Sequence, residues 1–291
     1  ACGMEKVPVV HTLHNFRAIC PTALLMQDGI VTDKSIDQGV WWALKKRVYR
    51  NSFIGTFILI LMIEVHKIIG TWERKVDAFV ALTDFSKDIY VRAGWPAEKI
   101  FVKPNFCQRN TVSDLTERKE YALYVGRIST EKGIDFILDA FSGSGMKLVV
   151  IGEGPLQDRF ESLNDKNIEY LGVKSSEEVR VLMSEASFLV MASTWFEGFP
   201  MVIVESLSLA LPVVVPRLGN MAAIVRDGYN GFHYTPSDKE SFLEVSRSLF
   251  ENNTLRDRLA ECARETYLTK YNPEENYMSL VRIYKAVLSG E

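Results

Sequence analysis

Two acids stand eight positions apart in the stretch "STWFEGFPMVIVESLSLALPVVV", Ser193–Val215. Glu197 abuts a Gly198-Phe199-Pro200 turn, and Glu205 lies inside an otherwise apolar run. A carboxylate accepts hydrogen bonds from neighbouring hydroxyls, so a pair of them suits a polyhydroxylated ligand. Pro200 sits where a first helical residue would. The backbone amides between Gly198 and Val202, with Phe199 and Met201 among them, would then face a ligand with the positive end of a helix dipole behind them. Glu205 follows about 1.4 helix turns after Pro200. Taken singly, Glu197 also reads as a helix-capping acid and Glu205 as a solvated face residue.

A second constellation lies upstream in "VGRISTEKG", Val125–Gly133. Arg127 leaves a strand end, Lys132 stands at the start of the next helix, and Gly126 allows close backbone approach. Two cations flanking a helix start make a diphosphate site, with arginine gripping two oxygens and lysine acting as a point charge. A solvated loop with two surface cations is the alternative. The spacing is not that of a Walker loop. In "VIGEGP", Val150–Pro155, Gly152 and Gly154 form a Gly-x-Gly turn after a strand, with Pro155 opening a helix. Gln157 occupies the place of the third glycine of a dinucleotide fingerprint, which argues against NAD or FAD. A tight turn without ligand contact explains this motif equally well. No Asp-x-Asp triplet occurs, so nothing points to a divalent metal, and no cofactor is expected.

These residues need elements to position them. From Tyr121 onward strands alternate with helices of about ten residues, which implies a parallel sheet covered on both faces. The strands are "YALYVG", "MKLVVIGEG", "IEYLG", "SFLVMAS" and "LPVVVP"; the helices are "GIDFILDAFSG", "PLQDRFESLN", "SSEEVRVLMSEA" and "PMVIVESLSLA". Ligands of such sheets bind outside the carboxyl ends of the strands, where the motifs above fall. Lys239–Ser289 reads as several helices broken near Asn272-Pro273. The polar stretch Cys107–Glu120 reads as a linker. Ahead of it come a short buried strand, Pro8–Thr12, helical material over Ile36–Trp72, a strand Ala78–Leu82 with a helix starting near Asp84 or Ser86, and a strand in "KIFVKPNF".

Composition bounds the function classes. Hydrophobic residues at 47% and charged ones at 24% over 291 residues describe a globular chain with one or two domains and a sizeable core. A net charge of −3 gives no sign of nucleic-acid binding. The four cysteines (Cys2, Cys20, Cys107, Cys262) form no CxxC pair, as in a reduced, cytoplasmic protein. No secretory signal is visible in "ACGMEKVPVVHTLH". The longest apolar run, Phe53–Ile63, falls short of the roughly 20 residues of a membrane span and reads as a buried core helix. The basic "KKRVYR" before it, Lys45–Arg50, keeps contact with a membrane surface as the alternative.

Together, "GRISTEKG", "VIGEGP", "EGFPMVIVE" and "LPVVVPRLGNMAAIVRDGYNGF" resemble, in order and spacing, the donor domain of the retaining, nucleotide-sugar-dependent glycosyltransferases of the GT-B fold, family 4. The resemblance implies two Rossmann-like domains facing a cleft: a partial acceptor-binding domain over 1–110, a nucleotide-sugar domain over 111–270, and a terminal helix over 271–291 crossing back to the first. It gives Arg127 and Lys132 the donor diphosphate, Glu197 the hydroxyls of the transferred sugar and Glu205 the ribose. It also gives the amides of Gly198–Val202 phosphate and sugar oxygens, and places Gly152, Gly154 and Pro155 near the nucleotide. "VVHTLHNFRAICP" is similar to the family's strand that ends in a histidine near the donor sugar, which is His14 here; a loop histidine with a structural hydrogen bond is the other reading. His11 is expected in buried structure. Tyr277 and Tyr284 on the terminal helix are expected to pack. The family's opening βα units are absent from the first domain as the chain stands. The implied activity is transfer of a sugar from a nucleoside-diphosphate sugar to an acceptor hydroxyl, with retention. The implied acceptor is a lipid-linked or cell-surface glycan, and the implied place is the cytoplasm or, peripherally, the inner face of the membrane. A non-catalytic nucleotide-sugar-binding remnant is the rival from another class, and a nucleotide-sugar epimerase a weaker third.

Overall fold

The computed structural model describes residues 7–108, 118–161 and 163–289. By contacts the chain divides into two units. The first comprises Ala1–Asn105, Trp195–Phe199 and Glu274–Glu291, and the second Phe106–Thr194 and Pro200–Pro273.

The first unit opens with β1 (Val10–Leu13), a small antiparallel hairpin of β2 (Met26–Gln27) and β3 (Ile30–Val31), and helices α1 (Lys34–Asp37), α2 (Trp42–Lys46), α3 (Phe53–Ile68) and α4 (Thr71–Lys75). Then come β4 (Ala78–Ala81), α5 (Asp84–Arg92) and β5 (Ile100–Val102). The sheet is parallel in the order β1-β4-β5, with Val10 opposite Ala78 and Phe79 opposite Ile100. β4 is central, and all four of its residues are buried. Phe79 and Ala81 pack with Leu13, Ile89 and Tyr90 on one side, while Ala78 and Val80 face the other. Thr83 starts α5 by accepting a hydrogen bond from the Ser86 amide at 3.1 Å, the capping that its residue type favours.

Three expectations for this unit need correction. The first strand begins at Val10 rather than Pro8 and is an edge strand, with Leu13 its single buried residue. His11 is exposed, although its ring lies 5.9 Å from that of Trp72 and 6.2 Å from that of Phe79. Most consequential is the apolar run. It forms a helix, α3, but among its residues only Thr56, Ile60 and Ile63 are buried. Ile60 and Ile63 pack against Val40 and Ala43 around α2, which covers one face of the helix. A continuous apolar run carries no periodicity to tell a covered face from an open one. Among the described residues no helix is long and apolar enough to cross a membrane.

The second unit contains β6 (Ala122–Val125), α6 (Ile134–Phe141), β7 (Leu148–Ile151), β8 (Ile168–Tyr170), α7 (Ser176–Glu185), β9 (Phe188–Val190), α8 (Met201–Ser208), β10 (Val213–Pro216), α9 (Gly219–Ile224), β11 (Gly231–Tyr234), α10 (Lys239–Glu251) and α11 (Asn253–Thr266). All six strands run parallel in the order β11-β10-β9-β6-β7-β8. The four central strands read as continuous apolar segments because both faces are covered. Phe141, Phe188 and Phe242 sit at full burial in the core beneath them. The helix expected over "PLQDRFESLN" is only a 3-10 turn, Gln157–Phe160, so Pro155 opens no helix. The Leu156 amide is given to the carbonyl of Ile128 at 3.1 Å, and Phe160 stacks on Tyr170 at 4.1 Å, which holds the segment down as a loop. Of the expected linker Cys107–Glu120, residues 109–117 lie outside the described residues, as does Cys2. Cys20, Cys107 and Cys262 are free thiols.

After a π turn at Tyr267–Tyr271, α12 (Pro273–Ser289) returns the chain to the first unit. Ile283 packs on Ala78 and Val80, and the Asn276 amide donates to the Pro104 carbonyl at 2.6 Å. Tyr277 and Tyr284, expected to pack, are exposed: the helix seats Asn276 and Ile283, and the tyrosines each follow one position later on another face.

Candidate functional site

In the second unit, the loops that follow β6, β7 and β9 are stitched backbone to backbone. The Gly126 amide donates to Ile151 O at 3.0 Å, Ile128 N to Glu153 O at 2.8 Å, and Thr194 N to Glu131 O at 3.0 Å. The glycines are a steric consequence. A Cβ on Gly152, whose φ is +139°, would lie 1.9 Å from the Gly126 carbonyl oxygen, and one on Gly154 2.3 Å from that of Ile128. A Cβ on Gly133, at φ +70°, would lie 2.1 Å from Ala192 O. Only glycine tolerates such contacts.

On this scaffold sits a groove of 790 Å³, within the ordinary range of small-ligand sites. Arg127, Gly126, Gly152, Gly154 and Val179 are among its lining residues. Arg127 is exposed. Lys132 is half-buried, at the end of a 3-10 turn (Thr130–Lys132) that leads through Gly133 into α6. Between them in sequence lies Glu131, which the motif reading passed over. Burial alone would raise its carboxyl. The adjacent Ser129 hydroxyl, its own backbone amide and the charges of Arg127 and Lys132 outweigh that and hold it below the usual carboxylate range. The signal available in sequence was an acid placed directly beside the lysine of "STEKG".

Pro200 proves to be the N-cap of α8 rather than its first residue, and it supplies no side-chain cap. Met201 and Val202, both half-buried, form the opening turn. Glu205 is half-buried rather than on a solvated face, and burial pushes its carboxyl up, against a weaker opposing pull from Arg180. Arg180 follows Val179 of the groove lining on α7. Glu205 itself does not line that groove. Its other charged neighbourhood is the Cys107 thiol, raised chiefly by burial, with Glu205 adding to the effect.

The remaining expected residues belong to the first unit. Glu197 is 7% exposed and accepts a hydrogen bond from Trp195 Nε1 at 2.9 Å. It is not the helix cap, since Pro200 is. Phe196 packs on Phe85 with ring centres 4.9 Å apart. Gly198 lies against β1's end: a Cβ there would stand 2.7 Å from the His14 carbonyl oxygen. Phe199 is half-buried and His14 exposed. Although exposed overall, the His11 imidazole is held below its ordinary pKa, first by partial desolvation of its ring and second by the neighbouring charge of His14. The structure thus groups Arg127, Lys132, Gly152 and Gly154 in the second unit, with Met201, Val202 and Glu205 on α8. It groups His14, Glu197 and Gly198 in the first.

Comparison with known proteins agrees with this architecture. The family description "Glycosyl transferases group 1" matches residues 109–266. A glycosyltransferase of Methanocaldococcus jannaschii is 35% identical over 169 residues, 57% of this chain and 48% of that protein. The alpha-D-kanosaminyltransferase of Streptomyces kanamyceticus is 26% identical over 239 residues, 74% of this chain and 61% of that protein. The matched stretches thus span about half to three fifths of these relatives' lengths. Among solved structures, Anabaena HepE in complex with UDP superposes with a TM-score of 0.70 at 17% identity, covering 99% of this chain and 74% of HepE. The α/β fold with parallel sheets is that of the GT-B glycosyltransferases. With more than half its length inside the matched family, the chain belongs to the group 1 glycosyl transferases.

Proposed function

We propose that the chain transfers a sugar from a nucleoside-diphosphate sugar to an acceptor hydroxyl with retention of the anomeric configuration. One observation carries the reading: Arg127 and the close-packed Gly126, Gly152 and Gly154 line one groove at the strand ends, where a Cβ on Gly152 or Gly154 would strike a neighbouring backbone carbonyl. A guanidinium set beside backbone open to close approach, with a lysine five residues on at the entry to α6, suits a diphosphate. The relative from Streptomyces kanamyceticus is a kanosaminyltransferase, and HepE was solved with UDP.

In this reading Arg127 takes two diphosphate oxygens and Lys132 a third. The first amides of α8, at Met201 and Val202, add the positive end of the helix dipole. Glu205 accepts from the ribose hydroxyls and Glu197 from hydroxyls of the transferred sugar. Gly152 and Gly154 leave room for the nucleotide. His14 serves the transferred sugar. As the bond from the anomeric carbon to the diphosphate breaks, its electron pair stays on the leaving oxygen, and the cations stabilise that growing charge. The acceptor oxygen bonds to the anomeric carbon from the same face, and its proton passes to the departing phosphate. The acceptor is a lipid-linked or cell-surface glycan, met at a membrane surface.

A thermal-shift screen of the common nucleotide sugars identifies the donor. Release of nucleoside diphosphate is then measured with and without candidate acceptors. Acceptor-dependent release that Lys132→Ala or Glu197→Ala abolishes, with the fold intact, supports the proposal. Undiminished release in either variant refutes it, and binding without any release marks a nucleotide-sugar-binding protein instead.

A further inference from the structure

The open face of α3 has no role in the transfer reading. Ile54, Phe57, Ile58, Leu61, Val65 and Ile68 recur at helical spacing and all are exposed, Ile54 by 69% and Ile68 by 78%. Together they form one apolar stripe along four turns, opposite buried Ile60 and Ile63. Soluble monomers rarely leave large contiguous apolar patches open, and those they keep are often functional. Trp41, 52% exposed, extends it: its ring lies 6.3 Å from that of Phe57.

The segment that leads from Trp41 into α3 is basic. Lys45 stands one turn after Trp41 on the same side of α2, and Lys46, Arg47 and Arg50 follow before α3 begins. All four are exposed. Lys46 pairs with Asp28 at 2.9 Å, and among the described residues no ion pair engages Lys45, Arg47 or Arg50. The one acid of α3, Glu64, is half-buried beside His66 and Lys67. An apolar helix face with a tryptophan at its border and a cluster of cations beside it matches an anionic lipid surface in both hydrophobicity and charge. The helix is too short and too one-sided to span.

We infer that α3 is an interfacial helix, docking the first unit on an anionic membrane with its Ile54–Ile68 stripe among the acyl chains and Lys45, Arg47 and Arg50 on the headgroups. Vesicle flotation tests this without any donor or acceptor, so it stands or falls separately from the transfer reading. The chain is mixed with vesicles of phosphatidylcholine alone, or of phosphatidylcholine with phosphatidylglycerol. The expected result is flotation with the anionic vesicles only, weakened by raised salt. Ile58→Glu with Leu61→Glu should reduce binding at least about tenfold, and so should Lys45→Glu with Arg50→Glu. All four positions are exposed, so the variants should keep the parent's circular dichroism and melting curve. Failure of the parent to bind anionic vesicles overturns the inference. So does binding that the Ile58→Glu, Leu61→Glu variant retains, or a dimer in analytical ultracentrifugation that this variant dissociates.

Discussion

The two units use apolar residues in opposite ways. In the second, the apolar segments of β6, β7, β9 and β10 are buried and the surface-facing chemistry sits on loops: Arg127, Lys132, and the glycines that let those loops touch. In the first, β4 is buried just as fully, yet α3 turns a whole apolar face outward. A parallel sheet with helices on both faces leaves little choice of where apolar residues go. A helix attached along one side leaves the choice to whatever meets its other side. The second unit is therefore tuned by backbone fit around the strand-end groove, and the first by the surface it shows.

The largest expected effect separates these two roles. Lys132→Ala or Arg127→Ala should lower the rate of donor turnover by about 10²–10³-fold, the cost of losing a preorganised charge at a developing anion. Neither side chain is buried, so the melting curve should stay in place. Ile58→Glu, on the other unit, should leave turnover of a soluble acceptor unchanged. If turnover falls with Ile58→Glu and not with Lys132→Ala, the assignment of chemistry to the second unit fails.

Next in size is backbone fit. Gly152→Ala should destabilise by about 3 kcal/mol or more, because a Cβ would overlap the Gly126 carbonyl at a backbone conformation few other residues adopt. Gly29→Ala in the β2–β3 hairpin, at φ +80° with nothing within 4 Å, should cost only about 1 kcal/mol. Chemical denaturation of the pair measures both. Equal losses would mean that the strand-end loops are not under the tight constraint described.

A third contrast lies inside α3. Ile60 is fully buried and Ile58 is 58% exposed. Ile60→Ala should cost about 2–4 kcal/mol, while Ile58→Ala should stay within about 0.5 kcal/mol. A large loss at Ile58 would show that something covers the outer face.

The same contrast explains what could be seen in the sequence. Strand–helix alternation and the glycine-bearing strand ends are local signals, and β6 through β10 fell where the pattern put them, whereas β11 (Gly231–Tyr234), a four-residue strand behind a glycine-bearing turn, was not marked by it. What sequence could not supply was the partner of an element. The run Phe53–Ile63 is apolar at every position, so nothing in it distinguishes a core helix from an interfacial one. "PLQDRFESLN" has helical residue types, but Ile128 claims the amide of Leu156 and Tyr170 claims the ring of Phe160. Glu131 hid for a related reason: an acid between two cations looks like solvated charge, and nothing in its neighbours' types shows that it is half-buried.

The smallest effect has an unusual sign. Burial raises the Glu205 carboxyl above the ordinary range, so the native state holds that proton more tightly than the unfolded chain does. Below the unfolded pKa, about 4.3 for glutamate, both states are protonated and there is no penalty. As the pH climbs through the unfolded and then the native value, the unfolded chain ionises more easily and stability is lost; above both, the penalty is constant. Glu205→Gln keeps the size and removes the charge. The variant should therefore melt higher than the parent at neutral pH, with the gap closing as the pH falls below the ordinary carboxylate range. On the proposed role it should also bind the donor about tenfold more weakly, since an amide would replace a charged acceptor for the ribose hydroxyls. A variant that melts lower at neutral pH would mean that Glu205 is held by partners that outweigh its burial, and so is structural. A variant that melts higher yet binds equally well would leave its burial in α8 without a purpose. Gain in stability together with loss of binding is the signature of a carboxylate kept in an unfavourable place for its ligand.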